Sequence, residues 1–182
     1  MKTVSYKLTS TSPILMNNIE SMFKAKEKPL RMKHDEWEQG DEMLKARMYL
    51  DGDKLIIPQH VCKGLLKEGS KASGLKQPGK RKGYTDLVQS TLIIQNPIIL
   101  DKKIKNVIRH QAFVGMNGTK KVLRIWPKLE EWTGQLDILI ADESQFDPKA
   151  LTEILKFSGL FVGFGDYRPE FGRFNIEEIK KT

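Results

Sequence analysis

Cysteine is nearly missing from this chain: Cys62 is the only one among 182 residues. A lone thiol closes no internal disulfide and builds no cysteine-based metal site, so a reducing cytoplasm is the expected setting. Long apolar runs are missing too, and nothing approaches the ~18 consecutive apolar residues that a membrane-spanning helix needs. The opening residues, Met1 to Lys7, alternate like a strand and lack the apolar stretch of a signal peptide. A third scarcity is local. Residues 54–128 hold three acidic side chains against sixteen basic ones, whereas residues 1–53 are balanced at nine of each and residues 129–182 hold eleven acidic and six basic. The formal net charge of +8 is therefore concentrated in the middle of the chain. That asymmetry suits a surface laid against a polyanion, where each phosphate contact releases counterions. It equally fits a protein whose basic residues spread over several faces.

Catalytic signatures are also lacking. Paired carboxylates, a Walker loop, a dinucleotide fingerprint and metal-spaced histidines are all missing, so no cofactor, no metal and no catalytic residue is assigned. With 39% hydrophobic and 30% charged residues the chain can bury a core and reads as one domain over residues 1–182.

What is present reads as α+β. Val4, Tyr6 and Leu8 alternate with polar neighbours as a half-buried strand that Pro13 ends. Residues 17–46 are highly charged, with Trp37, Met43 and Leu44 as their few large apolar anchors, and read as an inserted flap. Asp51-Gly52-Asp53 between apolar runs predicts a tight hairpin. Pro58 suits the first turn of a helix that turns Val61, Leu65 and Leu66 inward. On that helix His60, Lys63, Lys67 and Lys71 recur at spacings of three and four as a basic stripe. A glycine- and proline-containing loop at 73–83 carries Lys80, Arg81 and Lys82. Leu87–Ile94 and Pro97–Leu100 read as strands. Residues 102–128 contain eight Lys or Arg, among them Arg109, Lys120, Lys121 and Arg124, and no acid; around Asn117-Gly118 they predict a second hairpin. Trp132–Ile140 alternates as a strand. Asp147 and Pro148 mark the start of a last helix, lined by Leu151, Ile154, Leu155 and Phe161 or Val162. Phe171–Ile176 then returns to the sheet.

Two stretches are more specific. Ile57-Pro58-Gln59-His60-Val61-Cys62-Lys63-Gly64-Leu65-Leu66-Lys67 resembles the strand-to-helix segment of RAMP proteins, the RNA-binding superfamily that includes CRISPR backbone subunits. Family members usually have a Gly-Ser pair where Gln59-His60 stands here. Gly64 would let a ligand backbone approach closely. The segment from Gly163 to Phe174, with Gly163, Gly165 and Gly172, resembles the superfamily's C-terminal glycine-rich loop. Its glycines would turn tightly and present N–H groups to phosphates, with Arg168 and Arg173 adding charge and Tyr167 a ring for stacking.

The two motifs stand in the family's order. The resemblance implies a modified ferredoxin-like, RRM-like sandwich in which the hairpin at about 102–128 is a thumb, with Val114, Met116 and Trp126 available to wedge or stack. It implies single-stranded RNA as partner, with single-stranded DNA close behind, and a homo-oligomer or filament along the strand or assembly with CRISPR effector subunits. The short chain and its insertion fit a stand-alone relative from a phage or mobile element. Two alternatives stay open: a RAMP-type ribonuclease using His34, Asp35, Asp41 or His60, with His110 the remaining histidine, and an inhibitor or cap that mimics a backbone subunit.

Overall fold

The alternation of Val4, Tyr6 and Leu8 is realised in the first strand, β1 (Lys2–Ser10), where all three side chains are buried. The computed structural model describes residues 1–24, 40–116 and 120–180. In chain order β1 is followed by β2 (Ile14–Leu15), α1 (Ile19–Lys24), α2 (Asp41–Ala46), β3 (Leu50–Asp51), β4 (Lys54–Ile57), α3 (Gln59–Ala72), α4 (Thr85–Thr91), β5 (Leu92–Ile94), β6 (Ile98–Lys103), β7 (Ile108–Met116), β8 (Lys120–Leu129), β9 (Thr133–Ile140), α5 (Pro148–Phe161) and β10 (Phe174–Ile179). The fold is mixed α and β, with antiparallel sheets.

The main sheet has the order β10–β1–β9–β5, every pair antiparallel. Register sets Val4 opposite Ile138, Tyr6 opposite Leu136 and Leu8 opposite Ile176. A strand's period of two puts these on one face. Helix α5 contacts that face: the Tyr6 hydroxyl lies 2.9 Å from Thr152 Oγ1. α3 packs beside α5 by burying Cys62, Leu65, Leu66 and Gly69. Two small sheets flank this unit, β3–β4–β6 and β2–β8–β7.

Several local readings are realised. The Asp147 side chain accepts the Lys149 N–H at 2.9 Å and Pro148 opens α5. Val162 is buried, while Phe161 is 60% exposed. Gly52 turns the β3–β4 hairpin at φ +58°. Pro58 stands at the N-cap of α3, one residue before the first helical position.

Other readings need correction. Leu87–Thr91 is helical, because Tyr84, Val88 and Thr91 are buried at spacings of four and three and Thr91 Oγ1 donates back to Leu87 O. Only Leu92–Ile94 is strand there. The last strand starts at Phe174, because Phe171–Arg173 complete the preceding loop. His34, Asp35, Trp37 and the Asn117-Gly118 turn lie outside the described residues.

α3 and α5 approach closely where Gly69 meets Ser158. A Cβ on Gly69 would sit 1.8 Å from Ser158 Oγ, which already donates to Ile154 O at 2.7 Å. Overpacking of this kind typically costs ~1–3 kcal/mol. Gly69→Ala is therefore expected to lower thermal stability although alanine is the better helix former, and Ser158→Gly in the same chain to recover part of the loss; calorimetry on the two variants checks this.

Candidate nucleic-acid interface

The two motifs singled out in the sequence meet in space. Gly64, Leu65 and Glu68 of α3 and the loop residues Gly163–Asp166 and Arg168 line one open cavity of about 330 Å³. Asn17, Ile19 and Tyr49 close its other side. Gly64 lies in the middle of α3, is exposed, and has no atom within 4 Å of where a Cβ would be. A glycine inside a helix costs ~0.5–1 kcal/mol against alanine, and here no internal packing requires it.

The loop glycines are different. Gly163, Gly165 and Gly172 have φ of +77°, +81° and +81°. A Cβ would reach Phe171 O, Leu15 O and Phe164 O at 2.8, 2.2 and 1.8 Å, so the folding of the loop on itself and against β2 excludes side chains at all three positions. Its amides are largely taken up internally. Gly163 N–H donates to Ser158 O, Phe164 N–H to Gly172 O, Asp166 N–H to Leu15 O, Phe171 N–H to Tyr167 O and Gly172 N–H to Pro13 O. The loop is thus far from the open phosphate cradle anticipated from its composition. Among the described residues Gly165, which lines the cavity, keeps its N–H without an internal acceptor.

Asp166 anchors the junction. Its Oδ2 accepts the Asn17 amide and the Trp126 indole N–H, each at 3.0 Å. Trp126 is 2% exposed, too buried for the stacking role considered for it. Tyr167 sits edge-on to Trp126, with ring centroids 5.1 Å apart, and holds φ +52°, a left-handed conformation that costs a non-glycine residue ~1–3 kcal/mol. His110 of β7 packs on Phe171 at 5.4 Å. Aromatic contacts therefore lock the β7–β8 hairpin to the glycine-rich loop.

The cations divide into two groups. Lys63 is half-buried, its ammonium donates to the Leu92 carbonyl, and desolvation lowers its pKa. Arg168 pairs with Glu68 at 2.9 Å, Arg109 pairs with Asp41, Lys82 pairs with Asp86 at 2.9 Å, and Arg173 Nε donates to Pro169 O at 2.7 Å. By contrast His60, Lys67, Lys71, Arg81 and Lys121 are exposed and make no ion pair among the described residues. Arg124 is half-buried and pairs with Ala112 in the hairpin register. Lys120 and Met116 are described in their backbone only. Lys80 lies apart: with Pro78 and Leu87 it borders a separate cavity beside Ser144 and Gln145, which precede α5, whereas the glycine-rich loop follows α5. A 14-residue helix spans ~21 Å, so the 80–82 loop is not brought to the Gly64 cavity.

One feature the sequence reading missed is Phe113. It is 68% exposed on β7, opposite Leu123, with Lys121 two residues along the same hairpin face. Alternation within the hairpin could have found it. The outer face of the main sheet, which an RRM-like sandwich would use as its platform, carries Lys7, Thr9, Gln135, Asp137, Asn175 and Glu177, with no aromatic ring among its described residues. Of the groups weighed for catalysis, Asp41 is tied to Arg109 and His60 is exposed. The Cys62 thiol is buried, which pushes its pKa up to about 12.

Lys63→Ala is expected to lower the melting temperature by ~2–4 °C, corresponding to the ~1 kcal/mol of one lost hydrogen bond. Lys67→Ala should leave it unchanged; thermal melts of the two variants side by side check the division.

No protein-family model matches this chain. No curated protein matches it in sequence. Among solved structures it is similar to a chain in the cryo-EM structure of the Type III-B Cmr-beta bound to cognate target RNA, with a TM-score of 0.54 and 10% identity. The match covers 98% of this chain and 61% of that one, so this chain spans less than two thirds of that chain's length. At that identity the likeness is one of fold.

Proposed function

We propose that this chain is a RAMP-type protein that binds single-stranded nucleic acid, RNA before DNA, largely without regard to sequence. On this reading residues 1–182 form one domain with a ferredoxin-like core. The βαββαβ succession β1, α3, β5, β9, α5, β10 and the spatial order β10–β1–β9–β5 support it. The β7–β8 hairpin would be the thumb and residues 17–46 an insertion.

The observation that carries the reading is Gly64. It is an exposed mid-helix glycine with empty space above it, set where the Lys63-Gly64 motif faces the glycine-rich loop. Such a position admits a strand at backbone distance. Lys67 and Lys71, unpaired on the same helix, would hold phosphates, and Phe113 with Lys121 would offer a base a ring and a charge. RNA comes first because the fold is similar to a chain of an RNA-bound assembly. The sheet's outer face would not take part, since it lacks stacking rings and carries Asp137 and Glu177. Protomers would line up along the strand.

Binding to single-stranded RNA should fall steeply with salt, and Lys67→Ala and Lys71→Ala should each reduce the log–log slope by ~0.7. Gly64→Ala is expected to raise thermal stability, by ~0.5–1 kcal/mol, and yet to weaken binding several-fold. Unchanged affinity in Gly64→Ala, or a flat salt response, would overturn the reading.

A further inference from the structure

The cavity beside Gly64 is poorly suited to a phosphate. Two carboxylates, Asp166 and Glu68, line it against one guanidinium, Arg168, which Glu68 already holds at 2.9 Å. An anion placed inside would meet net negative charge at short range. Its hydrogen-bonding inventory leans the same way. One of the two Asn17 amide N–H groups is taken up by Asp166, and the Tyr49 hydroxyl donates to Asn17 O at 3.1 Å, so the Tyr49 oxygen has only acceptor capacity left. Asp166 Oδ2 receives two N–H groups, but Oδ1 receives only the Tyr167 N–H, at 3.3 Å. A carboxylate has about four lone-pair sites, so Asp166 keeps acceptor capacity. The Gly165 and Arg168 backbone N–H groups there have no acceptor among the described residues. Ile19, Val61, Leu65 and Phe164 supply apolar walls. Unused acceptors, a few spare N–H donors and apolar walls describe a flat, uncharged ligand that carries N–H groups beside an acceptor. A volume of about 330 Å³ holds a single heterocycle.

We propose that this cavity takes one nucleobase of the bound strand, and that guanine fits it best, because its Watson–Crick edge carries two adjacent N–H donors beside one oxygen acceptor. The proposal rests on the strand-binding reading and deepens it: phosphates stay outside with Lys67 and Lys71, while a single base enters between α3 and the glycine-rich loop. Uracil, with one imino N–H, leaves acceptors unmatched. Adenine and cytosine each bring one amino group. The chain would then read one base within an otherwise composition-blind contact.

The test measures affinity for short oligouridylates carrying a single central A, C, G or U. The guanine strand is expected to bind about tenfold or more tightly than the all-uridine strand, the usual size of a good two-point base contact. Val61→Trp, which fills the cavity from α3, should abolish that preference while keeping the affinity and salt slope for the all-uridine strand. Should Val61→Trp fail to fold by circular dichroism, Val61→Phe gives the same readout. Equal affinity for all four strands, or a guanine preference that survives in the folded variants, overturns the base site and leaves the strand-binding reading standing. Lack of salt-sensitive binding to any of the four overturns the strand-binding reading itself.

Discussion

One carboxylate holds the candidate interface together. Asp166 receives Asn17, just after β2, and Trp126, on the second strand of the hairpin, while its own N–H reaches back to Leu15 in β2. Two segments far apart in sequence, residues 15–17 and the hairpin, are thereby fixed to the glycine-rich loop. Charge-assisted hydrogen bonds of this kind are roughly twice as strong as neutral ones. The aromatic contacts Trp126–Tyr167 and His110–Phe171 complete the clamp, and Tyr167 tolerates a left-handed backbone because its surroundings fix it. The cavity beside Gly64 has its shape because this junction is rigid.

The positive charge has a division of labour. Lys63, Arg109, Arg168 and Arg173 hold elements of the fold to one another, whereas Lys67, Lys71, Arg81 and Lys121 stand in solvent. Exposed ion pairs contribute only ~0–1 kcal/mol each to stability. Their larger effect here is to take several cations out of competition for phosphate and to leave a defined set available. The excess of thirteen positive charges between residues 54 and 128 thus overstates what a strand would meet.

Local signals were legible in the sequence, and tertiary ones were not. The Asp147–Pro148 helix start, the Gly52 turn and the alternation of β1 depend on neighbouring residues, and each forms where the sequence places it. The stretch Leu87–Ile94 was misread because its apolar residues are too dense to show a period; packing beside α3 decides that Leu87–Thr91 is helical. A spacing of three and four put Lys63 in the same stripe as Lys67, but it could not reveal that the Leu92 carbonyl lies within reach of one ammonium and not the other. The segment 163–173 is a loop, but nothing near it in sequence shows that two of its amides, those of Asp166 and Gly172, are taken up by Leu15 and Pro13, some 150 residues earlier. Nothing local announces Asp166 as the residue joining the loop, the hairpin and the segment after β2.

The central claim is that a strand lies over α3, the hairpin and the glycine-rich loop, and away from the outer face of the main sheet. Photo-crosslinking of 4-thiouridine-substituted single-stranded RNA, with the attached peptides located by mass spectrometry, tests it most directly. The account predicts adducts within residues 59–72, 108–116 and 163–173, with Phe113 and Tyr167 as acceptors. Adducts confined to residues 133–139 and 174–179 would contradict it.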